Sequence, residues 1–421
     1  MEPTDLTYEL CRCYINDHRS IDVSLLHKID GFRRSRSLEH LASCSRHFDW
    51  AKHSIDEWRV LRQVEAFFKK NSAFTNKDIC AQTAEASFRD AEARCAATNI
   101  RLLFYYCNPR LLDRGLQIKM RRMEHYISNV LGNYHLFLDA LPHLVRVTPG
   151  ATASASRRNS LPQLKLRMKL FATAKASPYL RALYRFYGFN PPKIKEVTSN
   201  RIELVPKNWK TDRTIACEPE GNLPLQLAFD TYAKRRLRRF GIDLRDQSAN
   251  QELARKASLD NRFVTVDFKA ASDTISENTV AWVFPCDWYR YLSDVRAPQY
   301  RGSFGQGTYH KFSSMGNGST FTIETLVFAA ACYACGSRNF LVYGDDVIIE
   351  KEFYNDYLKL TRFLGFTINE DKTFHEGPFR ESCGLDAYNG IDVTPVYLRS
   401  IDRRKSALSH VVNTLMSLAH P

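Results

Sequence analysis

No apolar run in this sequence approaches the roughly 20 residues that a membrane helix needs; the best, Leu326 to Cys335, falls far short. The amino terminus, Met1-Glu-Pro-Thr-Asp5, lacks both the basic start and the apolar stretch of a secretory signal. We therefore expect neither a membrane helix nor a signal peptide, and secretion is disfavoured. Cysteine is present but unorganised: 11 residues, an odd number, run from Cys11 to Cys383 with no two CxxC pairs at zinc-ribbon spacing. Such usage argues for reduced thiols in a cytosol. No Gly-Lys-[Ser/Thr] occurs, which disfavours a P-loop, and His40, His53, His125 and His135 show no HExxH spacing, so surface or core roles are their default. Acidic residues are in deficit, 46 against 60 Lys+Arg, and the resulting formal net charge of +14 points to a polyanionic partner.

What is there suffices for real cores. At roughly 100 to 200 residues per domain, 421 residues make two or three lobes, and a hydrophobic fraction of 44% excludes disorder and fibrous classes. Apolar residues recur at helical spacing from Ser37 to Lys70 and from Glu85 to Val147, so the first third reads as mostly α. Thr148 to Arg157 is turn-rich and apolar-poor, a mobile loop by composition, before helical spacing resumes around Leu164 to Tyr187. From Ile202 onward β-branched and aromatic runs stand beside helices, which makes an α+β region where the chemistry is expected.

Four segments there carry chemistry. Phe340-Leu-Val-Tyr-Gly-Asp-Asp-Val-Ile-Ile349 is two apolar runs around Gly344-Asp345, a hairpin signal that sets Asp345 and Asp346 at a tip. Adjacent carboxylates about 4 Å apart repel by roughly 4 kcal/mol at an effective dielectric of 20, so a site converging on a third carboxylate wants a divalent cation, Mg²⁺ first; the bland alternative is a solvated turn. Val264 to Thr274 places Asp267 at a strand end and Asp273 after a small-residue turn, where a helix N-cap is as good a reading as a substrate role. Two glycine-rich stretches, Arg301 to Thr308 and Ser313 to Thr320, read as a flexible junction opening onto the helical run Phe321 to Cys335, whose lone CxxC, Cys332 and Cys335, reads as buried core. Val205 to Ile215 sets Lys207, Lys210 and Arg213 three apart, able to neutralise a triphosphate. The charge run Lys234 to Arg239 is assigned only to general RNA-backbone contact or a solvated helix face.

Taken in order, these segments closely resemble the RNA-directed RNA polymerase, or replicase, of the positive-strand RNA bacteriophages. The resemblance runs from about Val205 to Arg399: the Lys-Thr-Asp-Arg segment with Glu218-Pro219, Gly241 to Leu244 with Asp246-Gln247, Val266-Asp267 with Ala270 to Asp273, Ser313 to Gly318, Tyr343 to Asp346, Lys372 to Phe374, Gly377 to Gly384 and Asp392 to Pro395. It implies a right-hand polymerase: helical fingers, a palm built on an antiparallel sheet with helices, and a thumb that is mostly missing because this sequence stops at Pro421. The expected division is 1–150 for a helical N-terminal and fingers region, 151–240 for fingers with the basic segment, 241–375 for the palm, and 376–421 for the end of the palm and a truncated thumb.

The resemblance further implies that Asp267, Asp345 and Asp346 hold two Mg²⁺ ions, with Mn²⁺ able to substitute. One ion would activate the 3′-hydroxyl and the other would hold the triphosphate. By similarity Lys207, Lys210 and Arg213 grip the triphosphate, Lys372 protonates the leaving pyrophosphate unless it is a plain surface lysine, and Asp273 with Asn317 senses the ribose 2′-hydroxyl. Glu324 stands where many viral polymerases place an Asn four residues after a Thr, and its task stays open. Expected partners are a single-stranded RNA template, nascent RNA, ribonucleoside triphosphates and, as in the family, host elongation factors Tu and Ts and a ribosomal protein, in the cytoplasm of a bacterial host. A reverse transcriptase and a non-catalytic RNA-binding protein are the two rival readings.

Overall fold

The computed structural model describes residues 2–18, 21–49, 52–155, 158, 160–165, 169–400, 409, 412, 413 and 416. Most of the expected thumb segment beyond residue 400 lies outside the described residues. The architecture is α+β: helices from Pro3 to Leu144, then helices mixed with short, mostly antiparallel strands.

The helices begin where local chemistry satisfies their orphan N–H groups. Ser54 and Glu57 form a reciprocal capping box on Ile55–Lys69, Asn76 caps the 31-residue helix Lys77–Cys107, and Asp113 caps Arg114–Leu131, which stops at Gly132 with φ +70°. The helix Thr320–Cys335 is apolar all round and almost wholly buried, and Arg114–Leu131 packs along it. Cys332 and Cys335 are core residues of this helix, as their setting in the sequence suggests.

Two large cores result. One gathers residues between Met120 and Phe366 around the buried helix and a three-stranded sheet; the other packs the helices before residue 70 against Phe379, Tyr388, Val393 and Leu398. The chain therefore closes on itself, with its first helices covering the strands Phe379–Ser382 and Leu385–Tyr388. These strands are joined by Cys383-Gly384, both at positive φ, and Asn389-Gly390 repeats that turn before Ile391–Asp392.

The sheet that matters for chemistry has the order Phe263–Val266, Asp346–Glu350, Leu341–Tyr343, all antiparallel. Gly344 takes φ +65° at the first position of the two-residue turn, as a type II′ hairpin requires, and a Cβ there would lie 2.3 Å from the Phe321 ring. A second hairpin, Ser199–Pro206 with Asp212–Cys217, presents the basic segment in its loop.

Two loop expectations are corrected. The glycine-rich stretch Arg301 to Thr308 is not a flexible junction but a strand pair, Gln299–Gly302 with Gly305–Thr308, held because Tyr300, Phe304 and Tyr309 pack around Phe88. The stretch after Thr148 is anchored: Thr152 is buried, and its hydroxyl and that of Ser154 donate to the Glu220 carboxylate. Residues 156 and 157 of that stretch lie outside the described residues.

Candidate active site

The last pairing of the two central strands is Val266 with Val347, so Asp267 and Asp346, the next residues along, stand side by side at one end of the sheet. The turn Gly344-Asp345 puts Asp345 beside them. The hairpin is clamped from behind by the buried helix: the Gly344 N–H donates to Thr325 Oγ1 at 3.1 Å, and Tyr343 packs on Phe321 with centroids 5.2 Å apart. Segment 373–374 bridges the free edge of Phe263–Val266 through Thr265, which delivers Asn369 and Lys372 to Asp267. Asn369 Nδ2 donates to Asp267 Oδ2 at 2.7 Å, and Lys372 Nζ lies 3.9 Å from Asp267 Oδ1 and 3.1 Å from Glu381 Oε1.

This is a centre with too much negative charge for its cations. Burial lifts Asp346 to about 7, Asp345 and Asp267 add to the rise, and an N–H from Cys383 works against it. Asp267 is lifted to about 6 by burial, opposed by Lys372 and the Asn369 bond and reinforced by Asp345. Glu324, 1% exposed on the buried helix, is pushed well above the carboxylate range by burial and then by Asp345; the Ser272 hydroxyl, donating to both its oxygens at 3.1 and 3.3 Å, resists. Burial opposes the Lys372 charge, but Glu381 and Asp267 outweigh it and hold the ammonium above the ordinary lysine range.

The donor set suits a hard divalent cation: carboxylate oxygens only, packed where their mutual repulsion is unrelieved. Among the described residues, however, no three His, Cys, Asp or Glu groups already converge closely enough to hold a metal. Asp267 is held by Asn369 and Lys372.

The other expected residues divide. Lys207, in the basic hairpin's loop, is crowded by protein and pushed down first by that crowding, then by Arg213 and Lys372, against the pull of Asp267 and Asp345. Exposed Arg213 pairs with Val205 across the hairpin. Lys210 goes elsewhere, making a 2.9 Å ion pair with Glu39 and lying over the Trp209 ring. Asp273 is not a helix N-cap: it sits within the one-turn helix Ala271–Thr274, entered through Ala270 at φ +51°, and its carboxylate takes a 2.8 Å bond from Lys311 Nζ. Asn317 is buried and its Oδ1 accepts from Ser319 N–H and Oγ, leaving its amide N–H groups for any other partner.

Four contributors carry no assignment from the sequence. Lys311 is fully buried, sandwiched between Asp273 and Glu92, with Phe88 4.0 Å away. Asn369 and Glu381 flank Lys372 closely in the chain, three residues before it and nine after, and that spacing was the available signal. The Cys383 turn, which gives its N–H to Asp346, was legible only as Cys-Gly, a turn dipeptide.

Carboxylates at a strand end and a hairpin tip thus form one anionic centre at the end of the sheet. The family follows from comparison. The family model "RNA replicase, beta-chain" matches residues 12–419, and the chain belongs to that family. It is 40% identical over 340 residues to the RNA-directed RNA polymerase subunit beta of Enterobacteria phage SP, covering 78% of this chain and 58% of that protein. The corresponding subunit of Escherichia virus Qbeta is 39% identical over 370 residues, covering 86% of this chain and 62% of that one. The chain thus spans about three-fifths of the length of these curated relatives. A solved RNA-dependent RNA polymerase of BmCPV at its elongation state superposes with a TM-score of 0.44 at 10% identity, over 67% of this chain and 29% of that one.

Proposed function

We propose that this chain is an RNA-directed RNA polymerase that copies a positive-strand RNA phage genome from ribonucleoside triphosphates. The observation that carries the reading is the register that sets Asp267 beside Asp346, with Asp345 in the adjoining turn. In this reading the central sheet and buried helix are the palm, the basic hairpin and helices around it the fingers, and residues 376–421 the end of the palm and the start of a truncated thumb.

Asp267, Asp345 and Asp346 would hold two Mg²⁺ ions, or Mn²⁺ in their place. When bound, such ions lower the pKa of the attacking 3′-hydroxyl and stabilise the pyrophosphate leaving group. The chain's own residues do the rest. Lys207 and Arg213 neutralise the triphosphate, and Lys210 joins them by giving up Glu39. Lys372, kept charged by Glu381 and Asp267, presents a proton to the leaving pyrophosphate. Asp273, aimed by Lys311, and the free amide of Asn317 test the ribose 2′-hydroxyl. A single-stranded template, the nascent strand, and host elongation factors Tu and Ts with a ribosomal protein complete the assembly in the bacterial cytoplasm. Among the described residues no helix is long and apolar enough to cross a membrane.

The test is RNA-templated incorporation of labelled ribonucleotides with Mg²⁺, with and without bacterial extract, and Asp345→Asn as control. Synthesis lost in the variant supports the assignment. Equal synthesis by both proteins overturns it, and preferential use of deoxyribonucleotides would move the reading to a reverse transcriptase.

A further inference from the structure

One face of the long helix Lys77–Cys107 meets Asp273 and the segment 310–311. Phe88, Glu92, Cys95 and Asn99 follow one another at spacings of four, three and four, which aligns them along that face. The Phe88 ring centroid lies 4.0 Å from Lys311 Nζ, and Glu92 Oε1 lies 3.7 Å from the same ammonium, while Glu92 Oε2 accepts the His310 N–H at 2.6 Å. The Cys95 thiol donates to the Asp273 carbonyl at 3.6 Å, and Asn99 Nδ2 donates to the His310 carbonyl at 2.7 Å. One helix thus grips two short segments that lie far from it, and from each other, in the sequence.

Lys311 is held on every side. It is fully buried, its carbonyl accepts from Arg296 at 3.2 Å, and its ammonium sits among Asp273, Glu92 and the rings of Phe88 and Tyr309. A buried ammonium persists only where carboxylates and aromatic faces replace its water, so Glu92 and Asp273 hold it jointly. Only Asp273 meets it at hydrogen-bond distance: Lys311 Nζ donates to Oδ1 at 2.8 Å, and Oδ2 takes no hydrogen bond from the described residues. Two further hydrogen bonds tie this corner to the catalytic hairpin. Ser272, the residue before Asp273, donates to Glu324 at 3.1 Å, and Thr325, next to Glu324 on the buried helix, accepts from Gly344 at 3.1 Å. The Asp273 side chain keeps 22% exposure against none for Lys311, so Oδ1 is fixed from the buried side and Oδ2 remains open to a donor.

We propose that Glu92 and Lys311 are positioning residues for ribose selection: Glu92 anchors the Lys311 ammonium, and Lys311 fixes Asp273 Oδ1 so that Oδ2 meets the 2′-hydroxyl of an incoming ribonucleotide. The proposal rests on the polymerase reading, in which Asp273 tests that hydroxyl. A ribose donates to the waiting oxygen and a deoxyribose leaves it unpaired. Discrimination then depends on a carboxylate that cannot swing to another partner, and the helix Lys77–Cys107 contributes to the choice of sugar without touching it.

The experiment measures binding of ATP and 2′-deoxy-ATP to the full chain with Mg²⁺ by calorimetry, and in parallel kcat and KM for the two nucleotides on a poly(U) template with bacterial extract present. The variants are K311M, E92Q and E92Q/K311M; the last removes the buried ammonium together with its counter-charge, which keeps a folded protein available should K311M alone unfold, and thermal midpoints check this. We expect E92Q/K311M to lose about tenfold of the preference for ATP in both measurements, through weaker ATP binding and a higher KM rather than a lower kcat, and E92Q to lose less. D273A should show the same loss, and combining it with E92Q/K311M should add nothing further. An unchanged preference in the folded double variant overturns the proposal, as does an equal loss for the two nucleotides, the mark of a purely structural role. Failure of the polymerase reading shows separately, as RNA synthesis that Asp345→Asn retains. The calorimetry needs no synthesis, and it then still decides whether Glu92 and Lys311 govern recognition of the 2′-hydroxyl.

Discussion

Around Arg62 buried charges come in neutralising sets, and around Asp345 they do not. Arg62 contacts Asp386 Oδ2 at 2.5 and 2.7 Å and Glu65 at 3.3 Å; Glu65 also takes the Ser45 hydroxyl at 2.6 Å and the Lys69 ammonium. In consequence Glu65 is held below its ordinary range although burial pushes the other way. Glu324 is as deeply buried, has a single hydroxyl for company, and is driven the opposite way. Both clusters lie near Lys372: Glu381 feels Lys372 first, then Arg62 and Lys69, and so links the helices before residue 70 to the site. The lesson is that burial alone tells nothing about role. A balanced cluster staples two parts of the chain, and an unbalanced one leaves like charges unpaired, the setting that the proposed metal site needs.

The sharpest way to break this comparison is to change one charge in each cluster. Asp345→Asn should lower RNA synthesis on the order of 10³-fold, the scale expected when charge stabilisation is lost at the reacting centre, with RNA binding and the urea midpoint unchanged. Arg62→Met should do the reverse. It leaves Asp386 buried without its cation and Glu65 with Lys69 alone, which costs about 3 to 5 kcal/mol, measurable as a fall in the urea midpoint.

Glu381→Gln tests the link between the clusters. Synthesis should fall about tenfold, equivalent to 1.4 kcal/mol, with a smaller change in stability than Arg62→Met, because Lys372 keeps Asp267 and only its second carboxylate is lost.

The pH dependence of stability should carry opposite signs at Glu324 and Glu65, while Asp386, lifted to about 6 by burial despite Arg62, follows Glu324. Glu324 is raised in the folded state, so the native chain holds a proton that the unfolded chain releases above about pH 4.3. Its stabilising contribution is present below that pH and is lost as pH rises through the raised folded value. Glu65 is lowered, so its contribution is present above its unfolded value and is lost as pH falls through its folded one. Between about pH 3 and pH 8 Glu324→Gln should therefore gain stability over the parent as pH rises, and Glu65→Gln should lose its disadvantage as pH falls. Urea midpoints across that range decide both.

The smallest effect is expected at Lys210. Its pair with Glu39 is exposed on both sides, so Lys210→Ala should change stability by less than about 1 kcal/mol. It should raise the KM for nucleotide less than Lys207→Ala does, because Lys207 alone of the two stands within the field of Asp267 and Asp345.

Much of the site was legible because it is local. A Gly-Asp-Asp between two apolar runs makes a hairpin tip wherever it folds, the run before Asp267 makes a strand, and the apolar run to Cys335 makes a buried helix, since each pattern is decided within a few residues. The glycine-rich stretch before that helix misled for the same reason. Glycine signals a turn locally, but Tyr300, Phe304 and Tyr309 find Phe88 more than two hundred residues back in the chain and turn the stretch into strands.

The sequence by itself determined the elements, the carboxylates among them and the family order in which they come. Only the tertiary structure decided that Asp267 meets Asp346, that Lys311 lies under Asp273, and that Lys210 turns to Glu39. Those choices depend on strand register and on which buried charge finds which partner. Register and pairing are set by packing between segments distant in sequence, where no residue's own neighbours record the outcome.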